Sequence, residues 1–409
     1  MSKIAIIGAG IIGICIAHFL KKNGHHVTLY DQNDPGTQTS FGNAGLFAVH
    51  ECITVNSPHL WKSLPSMLLN KNSPLVIDWF YVAKHLPWAI RFLRNCTSAR
   101  VEHIAKSLSS FSSHAELAYE EIFSDVDVTN NIVNKEPILL YESKELFKKN
   151  QYALNLRKKY NVHFTVINKE DIRKIEPHLE PIYYNGIVLK GERFTKSPLL
   201  ITKKIFDNFI KNGGCFVKSK IKSIVNNGNS LFLQCEAKEK EFDKIVIAAG
   251  AWSNMLARTI GDNFPLDTER GYHIEFENSN NLLTHPIGWA KTGFYMTPMK
   301  DGIRAAGTVE IAGLEKPMNN DMLSMIEKTA RCILPQLGKV KSQWMGFRPT
   351  LPDSLPIIGK SRKCNNVYYA FGHQHLGLSL AAVTGKVIWS LIDKKNTNIN
   401  IDALNPYRF

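Results

Sequence analysis

Residues 2–31 read "SKIAIIGAGIIGICIAHFLKKNGHHVTLYD", and from Ile4 to Leu20 only His18 is strongly polar. A membrane span, a cleaved secretion signal and a buried ligand cradle all begin this way. A spanning helix needs about 20 apolar residues, and this run is shorter and broken by three glycines. A secretion signal needs a basic leader and a small-residue cleavage site. Here the leader is Lys3 alone, and the run closes on Lys21, Lys22 and Asn23.

The glycines fit the third reading. Ile4–Ile7 is a short apolar run suited to a parallel strand buried on both faces. Gly8-x-Gly10-x-x-Gly13 follows, with Ala9, Ile11 and Ile12 between, and Ile14 to Leu20 continues as a helix. Gly24 stops that helix, "HVTLY" reads as a second strand, and Asp31 and Gln32 stand at its end. Gly8 permits the tight turn, Gly10 lets backbone approach a pyrophosphate, and Gly13 lets helix pack close on strand. The helix N-terminus offers free N–H donors to phosphates. Asp31 is spaced to accept both hydrogen bonds of an adenosine ribose. Its carboxylate disfavours a 2′-phosphate and so NADP, leaving FAD and NAD.

At 409 residues the chain is long enough for two domains. Its 44% hydrophobic content describes a well-packed protein. Seven cysteines without a CxxC pair suit neither a disulfide framework nor a zinc site. The cytoplasm is the expected compartment. A formal net charge of +14 admits an anionic partner. With no nucleic-acid motif or aromatic-studded basic stripe, no nucleic-acid partner is expected.

Further along, "SFGNAGLFAVHE" is a glycine-punctuated loop, and residues 57–110 read as helical, aromatic and basic. "FDKIVIAAGAWSNML" is another buried strand ending in glycine at a helix entry. Residues 272–276, 294–299 and 303–309 alternate like strands of an antiparallel platform. The expected fold is α/β. A discontinuous, Rossmann-like cofactor domain (1–75, 190–262 and 337–409) is interrupted by an α+β substrate domain on an antiparallel sheet (76–189 and 263–336).

Four separated stretches carry a resemblance: the N-terminal unit, "SFGNAG", "IVIAAGAWS", and "GFRPTLPDSLPIIG" with "FGHQHLGLSL". Together they resemble the flavoprotein amine and amino acid oxidoreductases of the D-amino-acid oxidase type. Within that group the sequence looks most like the D-amino acid dehydrogenases and resembles glycine oxidase as well. The resemblance implies FAD. It also implies that Ser40, Asn43, Ala44 and Gly45 line the flavin and its phosphates, with Ala249, Gly250 and Trp252 beside it and Ile221 on the adenine side.

In "FGHQHLGLSL", His373 and His375 supply too few ligands for a metal site, and none is expected. A helix starting near Leu376 would instead present its N-terminus to the flavin pyrimidine edge, where reduction places negative charge. Gly372, His373, His375, Leu376, Gly377, Leu378 and Ser379 form this expected cofactor loop. Arg348 is the expected carboxylate-binding residue, because a guanidinium pairs bidentately with a carboxylate. The competing reading is a structural Arg348 paired with Asp353. Tyr272 and Tyr295 are expected to complete the clamp or close the pocket, with His50 and His273 as further pocket residues.

The implied reaction is oxidation of a D-amino acid, D-proline-like imino acids included, by hydride transfer from Cα to flavin N5. Hydrolysis of the imine then gives a 2-oxo acid and ammonia. Alternatives are a glycine/sarcosine-type oxidase, an NAD-dependent dehydrogenase, and a non-catalytic flavin-binding or tRNA-modifying protein. Electrons are expected to pass to a quinone or other carrier. Residues 57–110 carry seven Lys/Arg against two acids, with Trp61, Trp79 and Trp88. They would make a peripheral contact on the inner face of the cytoplasmic membrane, or else cap the substrate pocket.

Overall fold

The computed structural model describes residues 1–60, 75–228, 230–235 and 240–409. Trp61 and the rest of 61–74, part of the basic segment, lie outside the described residues.

The strand Lys3–Ile7 sits inside a six-stranded sheet, between His26–Asp31 and Lys244–Ile247. Cys215–Lys218 and Val367–Phe371 extend the sheet in parallel, and Ile357–Lys360 closes one edge antiparallel. Alternation along the first strand explains its continuous apolar run. Ile4 and Ile6 enter one core, packed by helices Ile11–Lys22, Pro198–Lys211 and Gly377–Ile392. Ala5 and Ile7 enter a second core, beneath a three-stranded sheet of Ile221–Asn226, Leu231–Cys235 and Lys240–Phe242.

Local chemistry sets the helix ends. Gly24, at φ +87°, turns the chain out of the first helix. Ser197 caps the helix Pro198–Lys211 by accepting from Leu200 N–H, and proline occupies its first turn. With the helical turn Gln374–Leu376 ahead of it, the helix Gly377–Ile392 is the one described helix long and apolar enough to cross a membrane. It is buried instead, packed against Ile11–Lys22. Gly385 allows the close approach, since a Cβ there would lie 2.8 Å from the Cys15 carbonyl oxygen.

A nine-stranded, mostly antiparallel sheet forms the second layer. One face packs on the helix Asn320–Ile333 through Tyr272, Ile274, Phe294, Met296 and Ile303. The other face turns toward the first sheet. A short sheet of Leu46–Phe47, Arg193–Thr195 and Ile132–Val133 joins the two regions.

Two segments fall differently from the domain limits read in the sequence. The strand Val340–Thr350, expected with the cofactor domain, pairs along Asp267–Glu277 in the nine-stranded sheet. Helices Ser98–Ser112 and Ala115–Phe123, expected with the substrate domain, pack their apolar faces into the cofactor-side core through Leu108, Phe111 and Tyr119. The Tyr119 hydroxyl donates to the Leu378 carbonyl there. An amphipathic helix specifies that it has a buried face, not which core receives it.

Candidate active site

A cavity of about 1240 Å³ lies between the two large sheets. Its cofactor end is built as the glycine spacing requires. Gly8 sits at φ +113°, and a Cβ there would meet the Ala248 carbonyl oxygen at 2.2 Å. A Cβ on Gly13 would meet the Gly8 carbonyl oxygen at 1.9 Å, so strand and helix touch through glycine. Gly10 is the N-cap and offers no side chain to the helix end. Gly8, Gly10, Ile11 and Ile12 line the cavity. Ala9 and Gly13 shape the turn from behind.

Asp31 and Gln32 line the same end. One Asp31 oxygen accepts from Ala9 N–H at 2.8 Å and the other from Asn33 N–H at 2.8 Å. The carboxylate thus tethers the glycine turn while facing the cavity. Ile221 lines the wall beside it.

The loop 38–45 brings Ser40, Asn43 and Ala44 to the cavity. Ser40 Oγ accepts from Ile11 N–H at 2.9 Å, fixing the loop to the helix N-terminus. Asn43 folds the loop on itself, donating to the Ser40 carbonyl at 2.7 Å and accepting from Gly45 N–H at 2.8 Å. Gly45, at φ +75°, makes the turn behind it. Arg304 clamps the whole loop: Nη1 donates to the Phe41 and Asn43 carbonyls at 2.8 Å each, while Nε and Nη2 hold Glu275.

Ala249, Gly250 and Trp252 line the opposite wall. Leu376, Gly377, Leu378 and Ser379 place the N-terminus of the helix Gly377–Ile392 against the cavity. No acid occupies its first turn, so the positive end of the helix faces an open space suited to negative charge. Gly372, at φ +86°, forms the bend that delivers this loop. His373 lines the wall with Nε2 bonded to Thr384 Oγ1 at 3.0 Å. His375 lines the open cavity, and enclosure by the protein around it, then the Arg348 charge, push its imidazole down to about 4. Among the described residues no group of three His, Cys, Asp or Glu could hold a metal ion.

The other end is set by strand alternation. On Asp267–Glu277, Glu269 and Gly271 point into the cavity. Arg348 lies across from Glu269 on the next strand and also lines the cavity. Its Nη1 donates to the Thr308 carbonyl at 2.6 Å and its Nη2 to the Gly307 carbonyl at 3.2 Å. Two of its five N–H donors are therefore used, and among the described residues no carboxylate pairs with it. Asp353, the rival partner, is held by Arg408 at 2.6 and 3.2 Å. The guanidinium lies over Gly271, where a Cβ would sit 2.4 Å from its Cζ. Burial makes the Arg348 charge costly, and Glu269 partly offsets that.

Tyr295 also reaches the cavity, because Phe294 and Met296 on either side enter the core of the second layer. Burial, then Glu192 and Glu51, raise its phenol well above the usual range, so it stays protonated.

Tyr272 is a correction. It is one residue out of phase with Gly271, faces the helix Asn320–Ile333, and donates to Glu310 in that core. It cannot serve a carboxylate clamp in the cavity. His50 also stands outside the lining, beside Gly191, while its neighbour Glu51 lines it. His273 stacks on Trp344 and bonds the Gly42 carbonyl at 3.0 Å, behind the wall.

Four carboxyls in the lining were not foreseen: Glu51, Glu192, Asp267 and Glu269. Glu269 carried a faint signal, as a charge inside the otherwise strand-like "TERGYHIEF". Glu192 carried none.

The chain matches the family described as FAD dependent oxidoreductase (DAO) over residues 3–391. It belongs to that family. It is 35% identical over 418 residues to a D-amino-acid oxidase of Bradyrhizobium diazoefficiens, covering 99% of this chain and 98% of that protein. A D-amino acid dehydrogenase of the same organism is 24% identical over 422 residues, covering 100% and 99%. Glycine oxidase from Geobacillus kaustophilus shares the fold, with a TM-score of 0.76 at 19% identity over 100% of this chain and 99% of that one.

The cradle fits the family's FAD. Gly8 and Gly13 let the turn close against neighbouring backbone, Gly10 and Asp31 line the cavity beside it, and the uncapped helix at Gly377 opens on the same space.

Proposed function

We propose that this protein oxidises D-amino acids to the imino acid, which water hydrolyses to a 2-oxo acid and ammonia. The carrying observation is Arg348, a cavity-lining guanidinium without a carboxylate partner among the described residues. FAD in the cradle supplies a two-electron acceptor. The protein's own residues orient the substrate. Arg348 binds the carboxylate with its unused N–H donors, and the Gly307 and Thr308 carbonyls hold the fork in one plane. Tyr295, a protonated phenol, donates into the same chamber. Neutral His375 adds no charge that would repel an incoming amine. Anaerobic addition of single D-amino acids, read as loss of the yellow flavin absorbance, tests this. A flavin that no amino acid bleaches would refute it.

Electrons then pass to a quinone or carrier, with the protein held peripherally on the inner face of the cytoplasmic membrane. Helices Trp79–Lys84 and Leu86–Arg94 support this reading. Tyr81, Val82, Trp88 and Phe92 line the cavity, so the segment caps it. Away from the lining, Phe80 and Ile90 stand exposed at 73% and 42%, beside Lys84, Arg91 and Arg94, while Trp79 and Leu86 line the cavity and are half exposed. Apolar residues flanked by cations suit an anionic lipid interface. Turnover with quinone analogues should exceed turnover with oxygen, and anionic liposomes should retain the protein. Equal rates with no liposome binding would defeat this part.

A further inference from the structure

The turn after the strand Asn185–Leu189 carries Lys190, Gly191 and Glu192. Its outer side is pinned. Lys190 pairs with Glu136 at 2.8 Å, and Gly191 N–H donates to the other Glu136 oxygen at 3.0 Å. On the following strand Arg193 pairs with Glu120 at 2.6 Å. Both cations adjoining Glu192 in the chain are thus engaged elsewhere.

Glu192 itself turns inward. It is 4% exposed, lines the cavity, and its Oε1 has no hydrogen-bond partner. No ion pair reaches it among the described residues. The cation whose charge reaches it, Arg157, donates through Nη2 to Glu51 at 2.8 Å, and the other Glu51 oxygen accepts from Cys52 and Ile53 N–H. Glu51 and Arg157 neutralise each other, leaving Glu192 as the surplus acid of this end. Burying a carboxyl without a partner is costly. A well-packed core would remove it, and here it borders an open chamber instead.

We propose that Glu192 is a specificity-determining residue that receives the side-chain terminus of the substrate and selects D-amino acids ending in a cationic amino or guanidino group. The inference rests on the amino acid reading above and deepens it. Arg348 takes the carboxylate, while Glu192, beside Tyr295, waits for a positive charge. Arg348 and Glu192 line the same cavity, together with Tyr295, whose phenol feels the Glu192 charge. Burial, then Glu51, raise the Glu192 carboxyl well above the usual range, and an arriving cation would restore its ionised form.

The test compares kcat/KM of the FAD-loaded enzyme on D-lysine and D-arginine with that on D-norleucine and D-methionine, uncharged chains of similar reach. Wild type should favour the cationic pair by about tenfold or more, the scale of one charge-assisted contact. Glu192→Gln, nearly isosteric, should raise KM for D-lysine by at least roughly tenfold and leave D-norleucine within about threefold. Glu192→Asp should recover part of the preference. If wild type oxidises D-norleucine as well as D-lysine, or Glu192→Gln lowers all four substrates equally, the inference is overturned and the amino acid reading stands. If no D-amino acid bleaches the flavin, the reading beneath it fails and takes this inference with it.

Discussion

Glu269 and Arg348 occupy opposed positions on neighbouring antiparallel strands and both face the cavity, yet no ion pair closes between them. Glu269 Oε2 is left without a hydrogen bond, and burial pushes its carboxyl up to about 7. The pair is held apart in the way a ligand site needs: one cation free to bind a carboxylate, one acid whose proton is loosely committed.

That acid makes stability depend on pH. A carboxyl raised in the folded state keeps its proton where the unfolded chain has lost it. Its contribution is therefore full below about pH 4.5 and declines as pH rises to about 7. The span corresponds to roughly 3 kcal/mol at most. Glu269→Gln should flatten this decline, read as denaturant midpoints between pH 4.5 and 7.5. An unchanged slope would show that Glu269 ionises normally.

Gly271 is the floor under the guanidinium. Gly271→Ala should displace Arg348 and raise KM for amino acids by at least about tenfold, while FAD content stays full. Retained affinity would mean that Arg348 does not sit over Gly271 when substrate binds.

Arg304 should matter for the cofactor although it lies behind the wall. Arg304→Met releases two carbonyls of the 41–43 loop and strands Glu275 without its partner. A cost of about 3–5 kcal/mol is expected for breaking such a pair, seen as lower Tm and faster FAD loss on dialysis. The double change with Glu275→Gln should recover much of the stability and little of the FAD retention.

Asp31→Ala should also weaken FAD retention. The carboxylate lines the cavity, at the position expected to accept from the ribose, and tethers Ala9, so the variant should lose a ligand contact and a turn restraint together. Full flavin occupancy after dialysis would contradict its role.

These sites differ in how far the sequence revealed them. The first strand, glycine turn and helix were legible because their constraints are local: a positive φ at Gly8, contact at Gly13, an acid at the strand end. That Arg348 borders the cavity was legible through its motif. Tyr272 was misplaced because alternation shows that a strand has two faces without saying which one meets the cavity, and one residue of phase exchanged Tyr272 for Gly271 and Glu269. The helix Ala115–Phe123 was assigned to the wrong core for a similar reason. Glu192 was invisible because its neighbours' ion pairs, formed with Glu136 and Glu120 far away in sequence, are what turn it inward.

The most direct test of the account is anaerobic bleaching of the flavin by a D-amino acid, compared between wild type, Arg348→Lys and Arg348→Met. All three should bind FAD, since the cradle lies elsewhere. Arg348→Lys keeps the charge and loses the fork, so bleaching should slow and require more substrate. Arg348→Met leaves the substrate carboxylate unpaired at a cost of about 2–5 kcal/mol, and should lose most of the wild-type preference for an amino acid over the corresponding amine without a carboxylate. Near wild-type bleaching by Arg348→Met, at wild-type substrate concentrations and with that preference intact, would contradict the account.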